Sequence, residues 1–163
     1  MIRRAREEQG FAMVEMLIAI VVINVGLLTI LFALTSGMTT LRRSAESSTA
    51  SALADKQLEK YRAVTFSSVF LDTSSLSSTD STYQSDSSYS ATQVSQTCTP
   101  LTAVCTPTQT VTGPDGHSYR IDTYIVYVTP AGGTAVKQVT VVVRKSGSTT
   151  ALARVVSTAG VDF

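Results

Sequence analysis

Hydrophobic residues are concentrated in one run near the start of the chain. From Phe11 to Leu34 almost every position is apolar, and Glu15 is the one charged residue. As a helix, this run would extend about 36 Å at 1.5 Å per residue, which exceeds the roughly 30 Å hydrocarbon core of a bilayer. The pattern therefore predicts a membrane-spanning helix over residues 11–34.

The charges beside this run predict its orientation. Arg3, Arg4 and Arg6 precede it, which favours an N-terminus in the cytoplasm and a C-terminus outside. Arg42 and Arg43 follow the run and weaken this asymmetry. We expect a single-pass protein of the cytoplasmic membrane.

Helical periodicity continues beyond the apolar run. The stretch from Thr39 to Val64 has neither proline nor glycine, and its apolar residues recur at helical spacing. They form two sides of the helix. The narrower side consists of Met38, Leu41, Ala45 and Ala52. The wider side consists of Ala50, Leu53, Ala54, Leu58, Tyr61 and Val64. We expect the helix to continue over residues 35–66, with the wider side packed on a sheet.

The last third of the chain alternates with period two. "SYRIDTYIVYVT", "AVKQVTVVVRK" and "ALARVVST" are rich in β-branched residues and are separated by glycine-containing turns, and "TQTVT" before "GPDG" adds a shorter candidate. This pattern is typical of an antiparallel meander. Residues 98–163 therefore predict a β-sheet domain with one face on the helix, which is an α+β arrangement.

Between helix and sheet lies a segment of different composition. Residues 67–97 contain 12 serines and 5 threonines. Such a tract buries little, so we expect a mobile or irregular solvated loop, tethered at its start by Phe70, Leu71 and Leu76. Its hydroxyl density would also suit O-glycans, although no sharp motif indicates them.

Composition narrows the function. Charged residues make up 15% of the chain and the formal net charge is +1. Basic residues are scattered with no basic and aromatic stripe, so we expect no nucleic-acid partner. No acid, histidine or cysteine cluster has catalytic spacing and no glycine-rich phosphate loop is present, so we expect neither an enzyme nor a cofactor.

Cys98 and Cys105 are the two cysteines. A zinc site needs about four ligands, and His117 is the single histidine. In a domain outside the membrane this pair favours a disulfide. Two free thiols are the alternative.

Glu15 distinguishes the interpretations of the apolar run. A cleaved secretory signal needs a shorter apolar core, although "FALTSG" at residues 32–37 would serve as a cleavage site. A plain membrane anchor explains the length of the run but not the acid. A carboxylate in lipid costs several kcal/mol in rough terms and indicates a functional role.

The run "GFAMVEMLIAIVVINVGLL" resembles the N-terminus of type IV pilins and pseudopilins. The resemblance implies that a prepilin peptidase cuts after Gly10, which makes residues 1–10 a leader, and that the new N-terminal Phe11 is N-methylated. The fifth mature residue is then Glu15, which in this family meets the N-terminal amine of a neighbouring subunit and sets the register of the filament.

The resemblance also implies partners and a subfamily. The partners are the prepilin peptidase, other pilins in a helical filament, an inner-membrane assembly platform, and membrane lipid before assembly. "INVGLL", without proline, is most similar to PilV-like minor pilins and minor pseudopilins, and Gly26 would let the helix bend or loosen. Ala12, Met13 and Gln9 depart from the commonest family pattern without removing this chemistry.

The expected function is a structural subunit, a minor type IV pilin carried to an extracellular pilus. A type II secretion pseudopilin in the cell envelope is one alternative. A subunit that binds ligands, as an adhesin or in DNA uptake, is another, and a plain membrane-anchored surface domain is a third.

Overall fold

The computed structural model describes residues 4–77 and 79–160, with side chains from residue 13 onward. The chain divides into two compact units, residues 1–44 and 45–163. Helix α1, Arg4–Arg62, supplies the first unit and opens the second. The second unit adds the short helix α2, Ser81–Gln84, and four strands: β1, Thr108–Thr112; β2, Ser118–Val128; β3, Val136–Lys145; and β4, Ala151–Ala159.

The four strands form one antiparallel sheet in the order β1-β2-β3-β4. Each strand pairs with the next along the chain, which confirms the predicted meander. The register places Ile121 opposite Val143, and Asp122 opposite Val142. Because neighbouring residues of a strand point to opposite faces, this register defines an apolar face with Ile121 and a second face with Asp122.

The predicted wider side of the helix packs on the apolar face. Ala50 and Ala54 are fully buried and Leu58 and Tyr61 nearly so, in one core with Ile121, Ile125, Val139, Val141 and Val143. Small alanine side chains allow the helix backbone to approach the strands closely. The α+β arrangement predicted from the sequence is therefore present within this unit, and it is consistent with a pilin-like fold.

Helix α1 ends at Arg62, earlier than the predicted bound at residue 66. The residues that follow include Val64 and Thr65, whose β-branched side chains lose rotamer freedom in a helix. Thr65 is extended, with φ −66° and ψ 155°, and it starts a 3₁₀ turn over Phe66–Ser68. Lys60 and Arg62 lie in the last helical turn, where cations interact favourably with the helix dipole.

The Ser/Thr-rich segment, residues 67–97, is largely irregular, as predicted, but it buries more side chains than its composition indicated. Val69, Leu71 and Tyr83 are fully buried. Leu71 joins the helix-side core, as its tethering role predicted. Tyr83 instead packs with Tyr124 and Val142, on the second face of the sheet.

Short local structures order this segment. Asp72 caps a 3₁₀ turn over Thr73–Ser75 by accepting a hydrogen bond from the Ser74 N–H, and Asp80 caps α2 through the Tyr83 N–H. Asp side chains favour such caps because they satisfy backbone N–H groups that a turn leaves unpaired. With Tyr83 packed on Tyr124 and Val142, the segment therefore covers part of the second face of the sheet.

Candidate functional site

The apolar part of α1 has no cover within the described structure. Over residues 13–34 the large hydrophobic side chains are between 47% exposed, at Ile20, and 78% exposed, at Phe32. This surface is far larger than the apolar patches of soluble monomers. The helix from Met13 onward is long and apolar enough to cross a membrane, by length and composition.

The uncharged polar side chains Asn24 and Thr29 of this segment, and Thr35 just after it, each donate a hydrogen bond within the helix. The Asn24 amide donates to the Ile20 carbonyl at 2.8 Å, and the Thr29 hydroxyl donates to the Val25 carbonyl at 2.8 Å. The Thr35 hydroxyl donates to the Leu31 carbonyl at 2.6 Å. Such bonds to the preceding turn remove the cost of placing these groups in an apolar medium.

Glu15 is different from these residues. Its side chain is exposed, and no described residue donates a hydrogen bond or pairs a charge with it. A carboxylate without a partner is costly to place among apolar groups, whether lipid or protein. A cation or hydrogen-bond donor from outside the described residues would remove this cost.

The other predicted residues of the N-terminal region are described less fully. The backbone of Gly10 and Phe11 is part of helix α1, but the structure does not describe the surroundings of these two residues. Residues 1–3 lie outside the described part of the chain. A Cβ atom at Gly26 would meet nothing within 4 Å. Packing among the described residues therefore does not require glycine there, and the bending expected at Gly26 stays a prediction.

Cys98 and Cys105 form a disulfide, which decides between the two alternatives. Asp72 forms a hydrogen bond with each cysteine of the bridge. Its carboxylate accepts a bond from the Cys98 N–H at 2.9 Å, and its own N–H donates to the Cys105 carbonyl at 2.7 Å. Gln57 of α1 donates to the Ala103 carbonyl at 2.8 Å. The bridge thus ties the Ser/Thr-rich segment and the helix to the start of the sheet domain.

The hydrogen bonds at Asp72 also affect its titration. Those from Ser74 and from the Cys98 N–H hold the pKa of this carboxyl below its usual range. The carboxylate therefore stays charged through the physiological pH range, and it keeps its bonds to the disulfide loop there.

A chain of six charged side chains lies between the second face of the sheet and the Ser/Thr-rich segment. We call it the charge network, and in order it runs Asp80, Arg120, Asp122, Arg144, Asp86, Arg154. Arg120 contacts Asp80 at 2.7 Å and Asp122 at 2.8 Å. Three carboxylates and three guanidinium groups alternate, so the network has no formal net charge.

The centre of the charge network is the most buried part of it. The Arg144 side chain is 2% exposed, and it binds Asp122, which is fully buried, and Asp86. Its Nε atom also donates to the Thr149 carbonyl at 3.1 Å. A buried guanidinium is tolerated when charged and hydrogen-bonding partners compensate its lost hydration, as they do here.

Asp86 joins two arginines from neighbouring strands. Burial alone would raise its pKa, but hydrogen bonds from Arg154 and from the Ser88 N–H outweigh burial and lower the pKa to about 2. The pKa of Asp80 is lowered in the same way. Burial alone would raise it, but hydrogen bonds from the Arg120 side chain and from the Tyr83 backbone N–H have the larger effect. Both acids are therefore charged at neutral pH.

The charge network was missed in the sequence, although a signal was present. The Ser/Thr-rich segment contains three acids, of which Asp80 and Asp86 join the network, and the predicted strands contain Arg120, Arg144 and Arg154. Charged residues on one face of an antiparallel strand usually indicate solvent, so the arginines alone did not predict a covering layer. Opposite charges in the segment and on the strands were the signal available, but they do not specify which acid meets which arginine.

No group of histidine, cysteine or acidic side chains that would hold a metal ion occurs within residues 4–77 and 79–160. No protein-family model, curated protein or solved structure matches this chain.

Proposed function

We propose that this chain is a structural filament subunit, a minor type IV pilin processed by a prepilin peptidase. One observation carries the proposal: the Glu15 carboxylate, which pairs with no described residue, lies near the start of a helical segment whose described large apolar side chains are exposed. A membrane anchor needs the apolar surface but not the acid. A helix that packs among copies of itself has a use for both.

The chemistry of assembly follows from the charge of Glu15. Cleavage after Gly10 would leave the Phe11 amine as a new N-terminus, and an amine or N-methylamine is a cation at neutral pH. In an apolar filament core, the lost hydration of each charge costs several kcal/mol, as a rough scale, and a partner of opposite charge recovers much of it. Pairing of Glu15 with the amine of a neighbouring subunit would therefore favour one register over all others.

The second unit fits a position outside the cytoplasm. It carries the Cys98–Cys105 disulfide, and such bonds persist in oxidising compartments. The exposed apolar segment would reside in the membrane until the assembly platform transfers the subunit to the filament.

N-terminal peptide mass spectrometry on the chain from its native membrane or filament fraction tests the proposal. We expect the first residue to be Phe11, carrying an N-methyl group. A chain that starts at or near Met1 would reduce the protein to an anchored domain. A chain that starts after Leu34 would make it an ordinary secreted protein, and either result would refute the filament function.

A further inference from the structure

A cavity of about 350 Å³ opens within the Ser/Thr-rich segment. Its volume is in the lower part of the roughly 300–1,000 Å³ range of small-molecule sites. The described residues that line it carry mainly hydroxyl groups, several of them already hydrogen-bonded within the segment, together with two side-chain amides and two tyrosine rings. This lining matches a ligand with many hydroxyl groups and some apolar surface.

The charge of the cavity favours a neutral ligand. Among the described lining residues there is no lysine, arginine or histidine to attract an anion. The one lining carboxylate, Asp80, already accepts hydrogen bonds from Arg120 at 2.7 Å and from the Tyr83 N–H at 3.1 Å. Because Arg120 already balances the charge of Asp80, this carboxylate adds little to the binding of a cationic ligand.

Gln93 presents an amide to the cavity from a fixed position. The Tyr83 hydroxyl lies 2.6 Å from the Thr123 carbonyl and 2.9 Å from the Gln93 amide oxygen. A hydroxyl has one proton, and a backbone carbonyl can only accept, so the proton is directed to Thr123. Gln93 then pairs best with the Tyr83 oxygen by turning its amide and donating an N–H.

This arrangement leaves Gln93 with one acceptor and one further donor. An amide that offers both is suited to two neighbouring hydroxyl groups of a ligand. Its backbone is held by the bridge between Gln93 and Val126 and by the bond from Val94 N–H to the Ile125 carbonyl at 2.8 Å. The amide is therefore positioned before any ligand arrives, which reduces the entropy lost on binding.

Tyr89 supplies an aromatic surface. Its side chain is 39% exposed, and its ring packs edge-on with Tyr83, with centroids 6.0 Å apart. Tyr83 in turn stacks on Tyr124 at 4.4 Å. The Tyr89 ring is held in place by this contact but keeps apolar surface for the C–H face of a ligand.

We propose that this cavity binds a neutral saccharide unit, with Gln93 bonding its hydroxyl groups and Tyr89 stacking on its C–H face. This inference goes beyond the filament function and does not rest on it, because binding is a property of the isolated chain. The outcome of the binding test is therefore independent of the outcome of the N-terminal mass spectrometry.

The test is saturation-transfer NMR on the full chain in lauryldimethylamine oxide, since a glycoside detergent would compete for the site. The probes are glucose, galactose, mannose and N-acetylglucosamine, with sialic acid and inorganic phosphate as anionic comparisons. We expect saturable binding of at least one neutral sugar. Absence of saturable binding for all four, or binding of the anions instead of the sugars, would overturn the proposal.

Two pairs of variants locate the binding. We expect Tyr89→Ala and Gln93→Ala each to weaken sugar binding by about tenfold, the loss of roughly one good contact. Tyr127→Ala and Gln96→Ala, matched residues that do not line the cavity, should leave it unchanged. Sugar binding that persists unchanged in both cavity variants would also overturn the proposal.

A rescue variant separates lost contact from lost folding. Tyr89→Phe keeps the ring and should bind nearly as well as the unmodified chain. If Tyr89→Phe loses binding as fully as Tyr89→Ala while the fold is intact, stacking is not the mechanism and the proposal fails.

Discussion

Replacing Asp86 by asparagine isolates the energetic role of the charge network. Asp86 accepts hydrogen bonds from Arg144, which is 2% exposed, and from Arg154, which is 34% exposed. Asparagine has nearly the same shape but no charge. The substitution therefore leaves Arg144 buried with Asp122 as its remaining acidic partner.

The expected loss of stability is about 3 kcal/mol at pH 7. Removing one partner of a buried ion pair costs roughly 3–5 kcal/mol, and the lower end applies because Arg144 keeps Asp122. The pKa of Asp86, about 2, leads to a similar figure. Each unit by which the folded pKa lies below the unfolded value of about 3.9 corresponds to about 1.36 kcal/mol, so the shift amounts to roughly 2–3 kcal/mol.

The same substitution should change the pH dependence. The pKa of Asp86 is lower in the folded state, so its contribution is fully present above about pH 4 and is lost as the pH falls towards 2. The unmodified chain should therefore lose about 2 kcal/mol over this window through Asp86. The Asp86→Asn chain should lack that part of the decline.

Urea unfolding of the full chain in detergent, followed by tyrosine fluorescence, measures this effect. All six tyrosines lie between Tyr61 and Tyr127, and the chain has no tryptophan, so the signal reports on the second unit. The matched control is Asp55→Asn, an exposed acid of α1. If Asp86→Asn matches that control in stability and in pH slope, the reasoning about the charge network is wrong.

Three further substitutions test other parts of the structure. Glu15→Gln should abolish incorporation into filaments, because a neutral amide cannot form an ion pair with an amine cation. Incorporation is measured by immunoblot of sheared filaments, and the control Glu59→Gln should have no effect. Equal incorporation of the two variants would contradict the pairing. Gly113→Ala should cost about 1–3 kcal/mol in the urea assay, because its Cβ would lie 2.7 Å from the Tyr119 ring. Gly133→Ala, where the nearest atom would be 3.7 Å away, should cost far less, and equal losses would refute the steric argument. Replacing both cysteines of the Cys98–Cys105 bridge by serine should lower stability by roughly 2–3 kcal/mol, and an unchanged urea midpoint would show that the bridge constrains nothing.

The charge network also decides how a ligand-binding function should be tested. Deleting residues 74–95 would remove Asp80 and Asp86 together with the cavity. Arg120 and Arg144 would then each lose an acidic partner, and the sheet would lose its cover. Loss of binding after such a deletion would not distinguish a missing site from a damaged fold, so point substitutions in the cavity are the better test.

The elements with regular periodicity were predictable from the sequence. The apolar run, the wider side of the helix from Ala50 to Val64 and all four strands have local patterns, and period decides which residues share a face. The disulfide was the favoured alternative on cysteine count alone. Glu15 was evident in the sequence as an acid within an apolar run, and the structure adds that no described residue pairs with its charge.

The cover on the second face of the sheet was decided by the tertiary structure alone. Residues 67–97 have no hydrophobic period, so their composition indicated solvation. What orders them is a few buried side chains, such as Leu71 and Tyr83, and ion pairs to arginines 40–68 residues further along the chain. Such pairings depend on where the meander places its arginines, and no local pattern carries that information. The cavity with Gln93 and Tyr89 exists because of the same long-range contacts.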